Sequence, residues 1–520
     1  MSLLAHRVAP WLRGNFPLVH NDPPPEIEAS GFLHVKHSNM KSAKTKQADS
    51  LVVMKFGGTS VENAEAIQRV TEIVTSRKGK GRVVVVSALA KVTDQLVLMG
   101  QKAASGDVDV SLGLSKEQRE RHLRTAKGLL GSKLFPTIAP KIENTFDQLE
   151  DFLRGVAAVR ELSPRSSDYL LSFGELISSE IVAAAFNARG LDAAWVDSRK
   201  CVVTNSNHTR ALPLLDQTRE KAQTLIAPMV AKKKIPVMGG FIASSAEGVP
   251  TTLGRGGSDF SAAIIGAALD AERIEIWTDV EGMMTTDPRL CPTARTIEKI
   301  SFNEAAELAY FGAKVLHPAT LLPAIQQNIP VYVLNSRNVK STGTEITEHA
   351  PAGKEMFRAI TAKTGVSIIN VVASRGVMVH GFLRSVFEAL DKHAASIDIV
   401  GISEVSMSFT TETKRLPQAL LADLEKLAEV TCDDQQAIIC LVGEDIHGRP
   451  GIAANVFNAV AESGVNIRMI SQGASEINIS FVIKESDVPR CVQHLHAHYF
   501  GNSTKTNVKA KAAKKGSSRR

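Results

Sequence analysis

The stretch "LVVMKFGGTS" (residues 51–60) runs from apolar, β-branched residues through one lysine into two glycines and two hydroxyl residues. Such a run reads as a strand that ends in a tight turn. Lys55 stands at the end of that strand, and Gly57 and Gly58 leave backbone amides bare beside it. A lysine so placed can reach phosphate oxygens while glycine amides cradle them. The order is wrong for a G-x-x-x-x-G-K-[ST] loop, because the lysine precedes the glycines, and no G-x-G-x-x-G fingerprint follows the strand. Taken alone, the segment reads more simply as a plain strand-to-helix turn.

Outward from this strand the same grammar recurs. Short β-branched runs stand at "RVVVVS" (82–87), "IPVMGGF" (235–241), "RIEIWTD" (273–279) and "IPVYVLN" (329–335), and helical periodicity separates them, as in "GELISSEIVAAAFNARG" (174–190). Apolar strands alternating with helices give an α/β fold, a largely parallel sheet covered by helices on both faces. In such sheets ligands collect where strands end and helices begin. Two further strand-end loops carry small or polar groups: "VSALAKVTD" (86–94) offers Ser87 and Thr93, and "TDVEGMMTTDPR" (278–289) offers Thr278, Asp279 and Arg289. Each is ordinary turn chemistry by itself. Their shared placement is what a nucleotide site requires.

A third loop, "TTLGRGGSD" (251–259), packs three glycines around an arginine ahead of the apolar run "FSAAIIGAALDA". A plain turn needs one or two glycines, so this backbone is expected to approach something closely. Arg255 can hold a carboxylate through two parallel hydrogen bonds. Asp259 and, far upstream, Glu175 in "SFGELIS" can face an ammonium. One cation with two anions suits a zwitterionic amino acid that carries a second carboxylate. The other reading is a surface Arg255–Asp259 pair with Asp259 capping the helix. The stretch alone leaves both open.

The second half of the chain repeats. "VFEALDKHAASIDIVGISEVSMSF" (386–409) matches "VFNAVAESGVNIRMISQGASEINISF" (456–481), a period of about seventy residues. Each copy reads as a helix and two strands joined by a tight turn, an α+β ferredoxin-like unit. A duplicated module of this kind is either structural or a seat for ligand sensing and dimerisation.

Bulk composition sets outer limits. A chain of 520 residues is expected to form two to four domains, and 44% hydrophobic with 22% charged residues is ordinary for globular protein. The net charge of +7 is uneven: the tail "STKTNVKAKAAKKGSSRR" (503–520) carries +7 and residues 1–50 another +2, leaving −2 for the body. A nearly neutral body argues against a nucleic-acid-binding face, and the tail reads as a solvated end. No apolar run reaches the length of a membrane span, so no membrane crossing is expected. Five separated cysteines without a C-x-x-C pair argue against a zinc site or disulfide framework and point to a reducing, cytoplasmic setting. The first fifty residues, with "NDPPPEIEAS", read as poorly ordered: an extension, an organelle transit peptide or an overlong start.

Five segments together resemble the aspartate kinases of the amino-acid-kinase superfamily: "VVMKFGGTSV", "SFGELIS", "TTLGRGGSDFSAA", "IWTDVEGMMTTDPR" and "FGAKVLHPATLLPA", in that order. The resemblance runs from Leu51 to about Phe500, and the repeats resemble paired ACT domains of the lysine-sensitive type. It implies an amino-acid-kinase catalytic domain over 51–345 and ACT domains over 360–430 and 431–500. A poorly ordered extension (1–50) precedes them and a basic tail (501–520) follows. The implied reaction is phosphorylation of the side-chain carboxylate of L-aspartate by ATP, with Mg2+ carried by the nucleotide, the first step toward lysine, threonine and methionine.

Carried over by position, Lys55 and Asp259 are the implied catalytic residues, with Thr93, Glu175, Arg255, Ser258 and Asp259 on the substrate. Lys55, Gly57, Gly58, Ser87, Thr278, Asp279, Arg289 and Lys314 are the implied nucleotide contacts. Met284 stands where related enzymes often carry an aromatic residue near the adenine. "GFLRSVFEAL" and "ASIDIVGISEVS" resemble effector-binding segments, implying Phe382, Leu383, Ser396, Ile397, Asp398 and Glu404 around L-lysine, with Ile402 replacing a hydroxyl residue of some relatives. Pairing of ACT domains across a homodimer or higher homo-oligomer is implied as well. The competing readings are another amino-acid kinase of the same fold and a non-catalytic amino-acid sensor. A homoserine dehydrogenase domain is not expected, because about twenty residues follow the second repeat.

Overall fold

The side chains of the strand Leu51–Phe56 alternate between two cores: Val53 joins one, while Val52, Met54 and Phe56 join the other. Gly81–Val86 behaves the same way, with Val83 and Val85 on one face and Val84 and Val86 on the opposite one. Period-two alternation with both faces apolar is the mark of a sheet covered on both sides. The computed structural model describes residues 50–501, except 78, 313–315, 317, 352–354, 374–380, 447 and 474–476. The expected N-terminal extension and basic tail therefore lie outside the described residues, save Ser50 and Gly501.

The main sheet has eight strands in the order Ala193–Val196, Ile235–Gly239, Gly81–Val86, Leu51–Phe56, Arg273–Thr278, Val331–Asn335, Thr344–Thr347 and Lys299–Ser301. The first six are mutually parallel; Val331–Asn335 and Thr344–Thr347 pair antiparallel. The α/β fold expected from the sequence is present. The chain builds outward on one side of Leu51–Phe56 and returns to place Arg273–Thr278 on its other side, a topological switch point.

The helix Pro164–Ala188 overturns one expectation. Its 25 residues reach a mean hydropathy of 1.4 over one window, long and apolar enough to cross a membrane. Interspersed serines, glycine and acids hid that run in the sequence. Its apolarity has a local cause, because Leu170, Phe173, Ile177, Ile181, Val182 and Phe186 all enter the core beneath the sheet. The same helix also buries Asp168 and Glu175.

The regulatory half forms a second sheet of six strands, with Val400–Ile402 at one edge and Met469–Ser471 at the other. Both repeats form as expected: helix Phe382–Lys392 with Val400–Ile402 and Ser406–Glu412, then helix Ile452–Glu462 with Met469–Ser471 and Asn478–Lys484. The boundary between them differs from the expected cut at 430/431. Ala359–Val372 and Glu429–Val442 are two long strands that pair from Ala359↔Val442 to Val372↔Glu429. Their register shifts between Lys363 and Ile368, beside Gly365 (φ 70°) and Gln435 (φ 57°). On one side of this bulge Ala359–Lys363 belongs with the second repeat's strands; on the other Val366–Val372 pairs with Ser406–Glu412 of the first. The first repeat is thus inserted within the second.

Candidate active site

Five parallel strands end at one edge of the main sheet, and short hydrogen bonds tie the loops that leave them. The Gly57 N–H donates to the Trp277 carbonyl (3.1 Å), Ser87 N–H to Phe56 (3.0 Å), Gly240 N–H to Val86 (2.8 Å) and Ser336 N–H to Thr278 (2.8 Å). This brings the loops carrying Lys55, Gly57, Gly58, Ser87, Thr278 and Asp279 to one place.

Lys55 is nearly buried, and its Nζ lies 2.6 Å from Asp259 Oδ1. Asp259 and Ser258 occupy the first turn of the helix Gly257–Ala268, where the helix dipole favours a carboxylate. The Ser87 hydroxyl donates to Ser258 Oγ at 3.0 Å. A methyl group added to Gly57 would stand 3.6 Å from Lys55 Nζ, so the bare glycine keeps the space beside the ammonium open. At Gly58 a Cβ would meet the Ala88 carbonyl at 3.1 Å, and this glycine serves loop packing.

Glu175 faces the same cluster from the helix Pro164–Ala188. Its Oε1 accepts the Ala88 N–H at 3.1 Å, while Oε2 is buried without a partner. Burial pushes its carboxyl up to about 8, opposed only by the Ala88 hydrogen bond and its own backbone. A buried carboxyl oxygen so placed can pair with a cationic group that a ligand brings. Arg255 is exposed, in the turn before Gly256 (φ 72°), free to meet a ligand's anion. Thr93 is half-buried in the first turn of the helix Val92–Ala104.

The remaining nucleotide-side residues divide. Thr278 Oγ1 donates to Asp279 at 3.3 Å at the strand end. Arg289 turns to solvent, its side chain 85% exposed, and forks onto Asp287 (2.6–3.1 Å), so no contact joins it to the Lys55 cluster. Lys314 lies outside the described residues. Met284 is half-buried, its sulfur accepting from Thr296 Oγ1 at 3.6 Å. The segment holding Met284 and Arg289 is gripped by the regulatory half: Ile360 N–H donates to the Thr285 carbonyl (2.8 Å), Thr285 Oγ1 meets His496 Nε2 (2.9 Å), and Gln493 donates to the Leu290 carbonyl (2.8 Å).

Sequence reading passed over the pair Gly239–Gly240. A Cβ on Gly239 would stand 2.8 Å from Glu175 Cβ, and one on Gly240 would stand 2.7 Å from Ser258 Cα. These glycines let one strand end pass between Glu175 and Ser258. Phe241 follows at φ 65°, a left-handed conformation costly for an aromatic residue. The doubled glycine in "IPVMGGF" was the available signal. Asp168 and His208, described below, left none.

Among the regulatory candidates, Asp398 is the built one: its side chain is 3% exposed and Oδ1 pairs with Lys363 Nζ at 2.7 Å, while Oδ2 is buried without a partner. The neighbouring Ile397 carbonyl accepts from the Tyr310 hydroxyl at 3.3 Å. Phe382 and Leu383 begin the helix Phe382–Lys392 half-buried, and Ser396 and Glu404 are exposed.

Residues 50–335 match the amino acid kinase family and residues 439–499 an ACT domain. Aspartokinase 1, chloroplastic, of Arabidopsis thaliana is 36% identical over 495 residues, covering 91% of this chain and 86% of that protein. The chain belongs to the aspartokinase family. Lysine-sensitive aspartokinase 3 of Escherichia coli is 37% identical, over 86% of this chain and 99% of that enzyme. The solved structure of E. coli aspartokinase III in complex with aspartate and ADP superposes with a TM-score of 0.75 at 36% identity, covering 86% of this chain and all of that one. The same enzyme in complex with lysine and aspartate also gives 0.75.

Proposed function

We propose that this aspartokinase-family chain transfers the γ-phosphoryl group of ATP to the side-chain carboxylate of L-aspartate, giving 4-phospho-L-aspartate and ADP. The observation that carries the reading is the Lys55–Asp259 pair at 2.6 Å, set at the ends of parallel strands beside the unpartnered Oε2 of Glu175. A carboxylate oxygen attacks the γ-phosphorus as its bond to the bridging oxygen of ADP breaks, and ADP leaves with the electron pair. The nucleophile is already ionised at neutral pH, so no base is needed. Positioning and charge stabilisation carry such a reaction.

In this reading Lys55 faces the transferring phosphoryl oxygens and Asp259 fixes its Nζ. Glu175 takes the aspartate ammonium, Arg255 a carboxylate, and Ser258, Ser87 and Thr93 line the junction. Gly57, Gly58, Thr278 and Asp279 border the nucleotide, with Arg289 and Lys314 assigned by position in the family motif. Among the described residues no group of three or more His, Cys, Asp or Glu gathers into a metal cage. Mg2+ held through ATP phosphates and water needs none, and it would neutralise phosphate charge there.

The regulatory half is proposed to bind L-lysine at Asp398 and to pair with a second copy. The E. coli relatives named for lysine support the effector. Val400 (41% exposed), Ile402 (53%) and Ile470 (55%) are exposed apolar residues on the two edge strands, which supports assembly. The five free cysteines favour a reducing compartment. The test is ADP formation with ATP against aspartate, glutamate, N-acetylglutamate and carbamate: aspartate alone should support turnover, and a preference for another acceptor would reassign the substrate.

A further inference from the structure

The reaction above has no use for Asp168, yet it is the most completely buried carboxylate near the site. Its side chain is 0% exposed, seven residues before Glu175 on the helix Pro164–Ala188 and therefore two turns away on the same face. Three donors converge on it. The Thr252 hydroxyl donates to Oδ1 at 2.5 Å, the Thr209 backbone N–H reaches both oxygens at 2.9 and 3.0 Å, and His208 Nδ1 lies 2.8 Å from Oδ2. An ionised carboxylate only accepts, so a hydrogen bond from His208 needs a proton on Nδ1.

These donors come from two segments that the carboxylate joins. Thr252 ends the strand Pro250–Thr252 and leads directly into the loop bearing Arg255. Thr209, itself at φ 69°, belongs to the loop that lies against that turn. The Ala211 N–H donates to the Thr252 carbonyl at 2.9 Å. A Cβ on Gly254 (φ 75°) would stand 3.2 Å from the Thr209 carbonyl, so the two loops are pressed together with no side chain between them.

We infer that Asp168 is a positioning residue for aspartate recognition: through Thr252 and Thr209 it fixes the Arg255 loop to the helix that carries Glu175. The two groups assigned to the substrate's carboxylate and ammonium sit on opposite sides of this clamp, and its geometry sets their separation. The inference rests on the assignment of Arg255 and Glu175 to aspartate. Lys55, Gly57 and the Thr278 loop stand on other strands and touch none of the three donors; their link to the clamp runs through Asp259, on the helix that follows the Arg255 loop.

The experiment titrates aspartate at saturating ATP, and ATP at saturating aspartate, for the full chain and for Asp168→Asn, Thr252→Val and Thr252→Ser. Asp168→Asn and Thr252→Val should raise KM for aspartate about ten- to a hundredfold, as misplaced binding groups do. KM for ATP should stay within about twofold, and Thr252→Ser, which keeps the hydroxyl, should behave as wild type. Variants with unaltered melting whose two KM values are unchanged, or rise together, overturn the inference. If Asp168→Asn fails to fold, the Thr252 pair decides, and equal KM values for valine and serine overturn it. A wild-type chain without aspartate-dependent ADP formation overturns the parent reading and this one together; normal wild-type turnover with unchanged variants overturns this one alone.

Discussion

Lys55 Nζ and Asp259 Oδ1 stand 2.6 Å apart, with both side chains about one-tenth exposed. Removing one member of such a pair leaves the other charge uncompensated, which destabilises as well as inactivates. Lys55→Met and Asp259→Asn should each lower kcat about a hundredfold or more and lower the melting temperature. The double variant should recover melting temperature and no turnover. Steady-state kinetics and calorimetry on the four proteins check this, and a folded Lys55→Met with near-normal kcat would remove the lysine from the chemistry.

Glu175 gives a pH dependence with a defined sign. Burial holds its carboxyl near 8 in the free protein, so at pH 7 it is mostly neutral. Pairing with the substrate ammonium requires the carboxylate, and binding therefore releases a proton. KM for aspartate should fall as pH rises from about 6.5 to 8.5 and flatten above the pKa. Glu175→Gln should bind weakly with no such slope. A pH-independent KM in wild type would detach Glu175 from the ammonium.

Arg255 is exposed in the ligand-free protein. Lysine cannot reproduce its planar two-bond contact with a carboxylate. Arg255→Lys should raise KM for aspartate by an amount worth about 1.5–3 kcal/mol, the loss of a charged hydrogen bond. Weakened ATP saturation with unchanged aspartate saturation would move Arg255 to the nucleotide side.

Asp398 keeps one oxygen on Lys363 and leaves the other unpartnered, so an effector ammonium can bind beside Lys363 against its repulsion. Asp398→Ala should relieve inhibition by lysine while leaving uninhibited turnover intact. Lys363→Met should lower the lysine concentration that half-inhibits. The coupling at stake is about 1–3 kcal/mol. Titrations with lysine and threonine check both, and inhibition by threonine alone would overturn the effector. The grip of Ile360 and His496 on Thr285 is one contact through which the regulatory half can reach the loop proposed to border the nucleotide.

The sheet and its strand-end loops were legible because their signals are local. Lys55, Gly57 and Ser87 sit where a β-branched run meets small residues, and parallel pairing then brings those ends together. Asp168 was not legible, because its role depends on Thr252 and His208, 84 and 40 residues away. The inserted first repeat was hidden for a similar reason: linear repetition does not reveal that Ala359–Lys363 pairs with Ile438–Val442. Arg289 was assigned through its motif, and nothing local in the sequence shows its pairing with Asp287. The helix Pro164–Ala188 escaped notice as a long apolar segment because Asp168 and Glu175 interrupt it.

Acyl phosphates react with hydroxylamine, so the central claim reduces to one stoichiometry. Wild-type protein is incubated with ATP, Mg2+, L-aspartate and hydroxylamine, and aspartyl hydroxamate and ADP are quantified in the same sample. The expected result is hydroxamate and ADP in equal amounts, both dependent on aspartate and both abolished in Lys55→Met. ADP formed without hydroxamate, or hydroxamate formed only with a different amino acid, would contradict phosphoryl transfer to the aspartate side chain.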